Sequence, residues 1–380
     1  MNMKAAIFHG PHQPLTIEQV EIDEPQEHEV LVRTAASGVC HSDLHFVEGL
    51  YPHPAPAILG HEAAGVVEKV GQAVTYLKPG DHVISCPSVF CGLCEECMSG
   101  HPNRCSNRKA TQRKKDDQPR LSQNGKPVAQ FADLSTYAEK MLLHENALVK
   151  ITNEISLDRA ALIGCGVTTG VGAVLNTAKI EAGSTVAVFG CGGVGLSAIQ
   201  GARIAGARMI IAVDQFESKL AMAKRFGATH TVDASSTDAV EAIRKIASGD
   251  SEEAGTDLIS SMTASLGVDY SFEAVGVKKL AEQCFDCVKP GGTATIIGMI
   301  PVGQKVELDG AKFLTERKIQ GTMMGGNRFR IDMPRYIEFY LQGHLNLDDM
   351  ISKRMKLEDV NEAFRAMKAG EVARSVLMFE

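Results

Sequence analysis

The stretch Cys91-Gly92-Leu93-Cys94-Glu95-Glu96-Cys97-Met98-Ser99-Gly100-His101-Pro102-Asn103-Arg104-Cys105 sets four of the chain's ten cysteines into fifteen residues. Thiols so close together can form disulfides, a redox pair or a metal site. The N-terminus, MNMKAAIFHGPHQP, has no apolar core of the length a signal peptide needs and meets Pro11 early, so a reducing, cytoplasmic setting is expected. There, closely spaced thiols read as metal ligands. Soft thiolates at C-x2-C-x2-C-x7-C spacing suit one tetrahedral zinc ion. A closed shell of four thiolates leaves no position for water or substrate, so this zinc is expected to be structural.

A second pattern is Gly190-Cys191-Gly192-Gly193-Val194-Gly195, which matches G-x-G-x-x-G. It follows the apolar run Thr185-Val186-Ala187-Val188-Phe189 and opens a segment, 196–205, with helical spacing. Asp214 ends the next apolar run, 24 residues after Gly190. In that context the pattern is a dinucleotide fingerprint. The glycines let the backbone approach a pyrophosphate, and the helix N-terminus presents N–H groups and positive dipole to it. Asp214 would accept hydrogen bonds from the adenosine ribose and repel a 2′-phosphate, which favours NAD over NADP. Lys219 reads either as a further ribose contact or as a solvated helix lysine. The bland alternative for the whole pattern is a glycine turn with a strand-end cap.

Six cysteines remain for a catalytic metal, and three stretches carry suitable side chains. They are Gly38-Val39-Cys40-His41-Ser42-Asp43-Leu44-His45, Gly60-His61-Glu62 and Gly164-Cys165-Gly166-Val167-Thr168-Thr169-Gly170. Each is weak alone, because a single cysteine is more often a small buried hydrophobe than a ligand. Spacing does not join them.

The elements that must carry these groups come from a chain of 380 residues, past the size at which one core stops growing, so two domains are expected. The composition, 44% hydrophobic and 22% charged, is that of an ordinary globular protein. A net charge of -7 argues against nucleic acid as the main partner. Arg104, Arg108, Lys109, Arg113, Lys114, Lys115 and Arg120 form a basic run, but Asp116 and Asp117 interrupt it, and 106–128 reads as a solvated surface loop. No run of 18 apolar residues is found, so no membrane span is expected. Short β-type runs between Pro, Gly and Asp make 3–80 a β-rich unit. From about 166, apolar strands near 185–189, 209–214, 229–232, 267–273 and 293–298 alternate with helices near 196–205, 216–226, 237–247 and 277–288. That alternation predicts a doubly wound parallel α/β sheet. Two amphipathic helices, near 332–342 and 357–369, close the chain.

The three ligand-bearing stretches, the run Gly60-His61-Glu62-Ala63-Ala64-Gly65-Val66-Val67, the four-cysteine lobe, the glycine turn and Gly370-Glu371-Val372-Ala373-Arg374-Ser375-Val376-Leu377 are independent motifs spread along the chain, and they follow one family's order. Together they resemble the zinc-dependent alcohol dehydrogenases of the medium-chain dehydrogenase/reductase family over essentially the whole length. The resemblance implies a β-rich GroES-like catalytic domain at 1–166 with a structural zinc lobe at 86–106, an NAD-binding Rossmann domain at 167–323, and a return to the catalytic domain at 324–380. It implies two zinc ions per chain: a structural one on Cys91, Cys94, Cys97 and Cys105, and a catalytic one on Cys40, His61 and Cys165. The catalytic ligand set is the family's own and is not read from spacing. Glu62 resembles the family's acid beside the zinc, and Asp43 the carboxylate that orients the histidine ligand. Ser42 and His45 match a proton relay that runs through the nicotinamide ribose. His41 and Arg374 match positions that contact the pyrophosphate, although many relatives carry Arg where this chain has His41. Thr169 and Val194 resemble residues packed against the nicotinamide.

The implied reaction is reversible oxidation of a primary or secondary alcohol, through a zinc-bound alkoxide that passes hydride to NAD. The glutathione-dependent formaldehyde dehydrogenase subgroup carries adjacent acids where this chain has Leu50-Tyr51. Tyr51-Pro52-His53-Pro54 instead suggests an apolar wall for medium or aromatic alcohols. A polyol or sugar dehydrogenase of the same family is the nearest rival. A zinc-free quinone or enoyl reductase would need neither cysteine set, and a zinc-ribbon nucleic-acid-binding protein is opposed by the acidic charge and the complete nucleotide fold. Relatives pair their cofactor domains edge to edge, so a homodimer or homotetramer is expected, with 296–307 as the candidate seam.

Overall fold

Thr185–Phe189 is apolar on both faces because it lies inside a parallel sheet, and all five of its residues are buried. In the computed structural model, which describes residues 1–249, 264 and 266–380, this sheet belongs to a unit formed by Thr169–Gly326. Its six strands lie in the order His230–Asp233, Met209–Asp214, Thr185–Phe189, Val268–Glu273, Val288–Ile296 and Lys318–Gly321. Numbered along the chain, that order is 3-2-1-4-5-6, the doubly wound arrangement in which a ligand crevice opens where the order reverses. Helices Gly193–Ile204, Glu217–Arg225, Ala239–Ser248 and Lys278–Asp286 follow the first four strands in turn. Phe189, Val213, Ile243, Phe285 and Val288 pack the core between sheet and helices.

The other unit combines Met1–Thr168 with Asn327–Glu380. Its central strand, Glu29–Gly38, pairs antiparallel with Ala63–Val70, Lys140–His144 and Arg374–Met378. The last pairing sets Val376 opposite Gly38, which brings Arg374 to Val39, 335 positions away in sequence. A second sheet is built on Asn2–Phe8 and Thr16–Ile22. Helices Phe329–Leu341 and Val360–Lys368 lie in this unit.

One expectation is corrected. The segment 106–128 is not a solvated loop throughout. Leu121–Gln123 and Lys126–Pro127 form a hairpin on Thr16–Ile22, turning at Asn124 and Gly125, both with positive φ. Arg113 and Arg120, each with a side chain only 7% exposed, clasp the buried Glu29 at 2.6 and 2.7 Å. The two guanidinium groups and the Gln26 N–H saturate a carboxylate that would otherwise be costly to bury. Their partner is more than 80 residues away, so the basic run looked free. One helical stretch, the 22 residues of Leu157–Ala178, has the length and composition of a membrane span. It is 78% buried over its most apolar window, as a core helix is. Its glycines, with Thr168 and Thr169, interrupt the apolar pattern in sequence but are buried with it.

Candidate active site and metal centres

Cys40 follows the central strand and sits at the N-terminus of helix His41–Val47; Cys165 lies in the π-helical turn Ile163–Val167. His61 follows Gly60, which has φ +88. A Cβ at Gly60 would lie 2.5 Å from Thr136 Oγ1, so the chain can turn there only without a side chain. The structure brings the ligand atoms of Cys40, His61 and Cys165 within 4.8 Å of one another, all buried. Asp43, fully buried, fixes the histidine: its Oδ1 lies 3.1 Å from His61 Nδ1 and accepts the Gly60 N–H at 3.0 Å. Tyr137 Oη donates to Asp43 Oδ2 at 2.9 Å. With Nδ1 engaged, Nε2 is the ring nitrogen left to face the thiols.

The charges fit a cation. A hydrogen bond from Cys165 outweighs burial and holds the Cys40 thiol well below its ordinary pKa, with Arg374 assisting. Cys165, the partner that keeps the proton, is correspondingly raised. Burial alone would depress His61, but Asp43 and Cys40 overcome it and raise its proton affinity well above normal. Thiolate, carboxylate and imidazole therefore draw positive charge into a dry pocket, and two thiols with one imidazole are donors that zinc prefers. Burial pushes Glu62 up to about 7 against the pull of Arg374, whose Nη1 is 3.7 Å from Glu62 Oε2. Neither Glu62 oxygen has a hydrogen-bond partner, so the carboxylate is held beside the cluster only by its ion pair with Arg374.

Ser42 and His45 lie on the helix His41–Val47, three residues apart and hence on one face. Ser42 Oγ is 3.7 Å from Cys40 Sγ. The His45 ring stacks on Tyr51 at 6.0 Å, and its buried Nδ1 has no hydrogen-bond partner. His41 is exposed. Rings then run from the metal cluster outward: Phe131 packs edge-on to His61 at 5.7 Å, Phe46 to Phe131 at 4.8 Å, and Tyr51 to Phe46 at 5.8 Å. Arg374, only 4% exposed, belongs to this unit and donates to Val39 O at 3.2 Å. Sequence reading missed Tyr137 and Phe131, because nothing in the spacing of either marks it as a neighbour of His61.

The four-cysteine lobe also closes on itself. Cys91, Cys94, Cys97 and Cys105 place their sulfurs within 4.8 Å, Cys94 Sγ being 3.4 Å from Cys97 Sγ and 3.8 Å from Cys105 Sγ. A tetrahedron with Zn–S bonds of about 2.3 Å has edges of about 3.8 Å. Backbone N–H groups of Leu93 and Cys94 point at Cys91 Sγ, and that of Cys91 at Cys105 Sγ, which suits thiolates. All ten cysteines are unbridged.

In the other unit, Gly190 adopts φ +94, and Gly195 approaches it so closely that a Cβ would lie 1.7 Å from Gly190 O. Gly192 caps helix Gly193–Ile204 with no side-chain cap, and a Cβ there would meet open space. The first N–H groups of that helix are thus open to an anion. Asp214 stands at the end of its strand. Its Oδ2 accepts the Cys191 N–H at 2.8 Å, and its Oδ1 accepts those of Gln215 and Phe216, leaving lone pairs for a diol. Lys219 Nζ lies 4.9 Å over the Phe216 ring, Val194 is half-buried beside the turn, and Thr169 Oγ1 is 3.5 Å from Met324 Sδ. This cradle fits a dinucleotide.

Comparison with known proteins agrees with the geometry. Residues 26–153 match the alcohol dehydrogenase GroES-like domain, and residues 193–342 match the zinc-binding dehydrogenase family. S-(hydroxymethyl)glutathione dehydrogenase of Paracoccus denitrificans is 38% identical over 386 residues, covering 100% of both chains. Alcohol dehydrogenase class-3 of Zea mays is also 38% identical, over 99% of this chain and 97% of its own. The solved structure of benzyl alcohol dehydrogenase from Acinetobacter calcoaceticus superposes with a TM-score of 0.90 at 30% identity, over 100% of both chains.

Proposed function

The chain belongs to the zinc-dependent alcohol dehydrogenases of the medium-chain dehydrogenase/reductase family, and on that premise we propose which residues carry the reaction and which alcohols it takes. The enzyme oxidises an alcohol, with zinc and NAD as cofactors. When bound, zinc lowers the pKa of a hydroxyl by several units and NAD accepts hydride. Cys40, His61 and Cys165 hold the catalytic ion, with Asp43 and Tyr137 fixing the His61 ring. Glu62 is the spare carboxylate for ligand exchange. Ser42 takes the hydroxyl proton, and His45 delivers it to solvent. By the same resemblance His41 and Arg374 serve the pyrophosphate, Asp214 and Lys219 the adenosine ribose, and Thr169 and Val194 the nicotinamide. The carrying observation is the buried cluster of two thiols and one imidazole with its histidine held by Asp43.

For substrate, the ring series Phe131, Phe46 and Tyr51 beside His61 supports apolar and aromatic alcohols. The relative from Paracoccus denitrificans is named for a glutathione adduct, but Leu50, 44% exposed, and Tyr51 offer no carboxylate to such a charged substrate. An NADH-coupled screen of benzyl alcohol, hexanol, ethanol, sorbitol and S-hydroxymethylglutathione, with zinc quantified by plasma emission, tests both points. Two zinc ions per chain and highest kcat/KM with benzyl alcohol or hexanol are expected. Preference for sorbitol or the glutathione adduct would overturn the substrate assignment.

Ten unbridged cysteines support a reducing, cytoplasmic setting. A homodimer or homotetramer pairing through 296–307 is supported by Val302, which is 78% exposed within that segment.

A further inference from the structure

Within the segment 131–135, Ala132, Asp133 and Ser135 adopt left-handed backbone, with φ of +55, +61 and +63. None is glycine, and a Cβ makes that region unfavourable, least so for aspartate. Such a run persists only where surrounding bonds hold it, and strain of this kind gathers at functional sites. Bonds hold both of its ends. Ser135, which is buried, accepts the Phe131 N–H on Oγ at 3.0 Å and donates to Ile58 O at 2.8 Å. The N–H groups of Leu134 and Ser135 return to Phe131 O at 2.8 and 3.1 Å. Asp133 is tied outward: Arg108 Nη2 donates to its Oδ2 at 2.8 Å and Gln112 Nε2 to its Oδ1 at 2.7 Å. The same Arg108 nitrogen reaches Ala132 O at 3.3 Å.

What this segment carries is Phe131. Its ring stands edge-on to His61 at 5.7 Å and to Phe46 at 4.8 Å, and lies 5.4 Å from the His53 ring. The ring's direction is set by the turn that begins at its own carbonyl. Were Ala132 and Asp133 released to an ordinary backbone conformation, the turn would open and the ring would leave His61. The ties that prevent this come from the segment 106–128. Arg113 and Arg120 fasten that segment to Glu29 on the central strand, and Arg108 and Gln112 extend the anchor to the ring wall. A charge-assisted bond between guanidinium and carboxylate suits such a latch, because it fixes direction as well as distance.

We propose that Asp133, latched by Arg108 and Gln112, is a positioning residue that holds Phe131 beside His61 and so sets the preference for aromatic over small alcohols. The preference itself rests on the substrate reading above. A residue that merely stabilised the fold would affect all alcohols alike and leave the ring where it stands.

The test has two arms. The chain has no tryptophan, so Phe131→Trp supplies a single fluorescent reporter in the wall, independent of substrate. In that background Asp133→Ala is expected to raise the acrylamide quenching constant about twofold, and Arg108→Lys, which keeps a charged donor, by less. In the zinc-loaded enzyme with its native Phe131 and saturating NAD, kcat and KM are measured for benzyl alcohol and ethanol. Asp133→Ala is expected to lower the benzyl alcohol to ethanol ratio of kcat/KM about tenfold, mainly through KM, while Arg108→Lys retains most of it. Unchanged quenching, or equal losses for the two alcohols, would overturn the proposal. Should Asp133→Ala not fold, Arg108→Ala removes the same latch from the partly exposed side and must move both readouts in the same direction, or the proposal is wrong. A parent enzyme without preference for benzyl alcohol would refute the substrate reading instead, and the quenching arm alone then decides the latch.

Discussion

The residues proposed to do the chemistry are held by neighbours more than they hold themselves. His61 is oriented by Asp43, and Asp43 is in turn satisfied by the Gly60 N–H and the Tyr137 hydroxyl. Such outer partners commonly carry much of a metal site's affinity. His45 is different: its buried Nδ1 is unpaired and its ring is stacked on Tyr51, so it is placed without being committed to another protein group. That is the condition of a proton carrier. His45→Gln is expected to slow turnover mainly at the acid end of the pH–rate profile, with partial rescue by added imidazole or phosphate buffer. A pH–rate profile identical to that of the parent would remove His45 from the relay. Of these residues, the glycine cradle and the lobe cysteines were legible in sequence because their partners are local. Tyr137, 94 positions from Asp43, carried no signal.

At the scale of elements, the strands of the nucleotide unit were readable because parallel strands covered on both faces must be apolar throughout. The segment 106–128 was misread because its charge is neutralised by a distant strand. The same clasp has a consequence for pH. His144, at the end of Lys140–His144, accepts the Asn146 N–H at 3.0 Å and stacks on His28. Burial and the nearby Arg120 push its pKa down to about 4. The unfolded chain then binds the proton first, near the ordinary histidine value of about 6.5. Its contribution to stability is intact above that pH and is lost as the pH falls toward about 4. Replacing it with asparagine, which keeps an acceptor for Asn146, is expected to flatten the decline of Tm across that window. Glu29, held below the usual carboxylate range by Arg113 and Arg120 although burial opposes them, acts only below about 4.5. The two effects therefore separate by pH, and an unchanged slope in the His144→Asn variant between pH 6.5 and 4 would contradict the assignment.

For the whole molecule, the outstanding quantity is assembly. Val302 is 78% exposed in the segment that follows Val288–Ile296, and in the same unit Leu314 is 80% exposed. Exposed aliphatic side chains of this kind on a cofactor unit are expected to be covered by a second copy. Light scattering should give the mass of two or four chains of 40.8 kDa each, and Val302→Asp should shift it toward one. A parent enzyme of single-chain mass would rule the seam out.

The sequence by itself determined what depends on neighbours along the chain: the alternation of apolar strands and helices, the glycine cradle with its acid, and the four cysteines of the lobe. These rest on periodicity, turn geometry and short ligand spacing, which are local quantities. It identified the catalytic ligands only through resemblance. Only the tertiary structure decided that Cys40, His61 and Cys165 share one pocket, that Arg113 and Arg120 are spent on Glu29, and that the buried Glu273 accepts the Gly276 N–H. The reason is physical: buried charge must be matched, and its match is set by which strands pair, not by which residues adjoin.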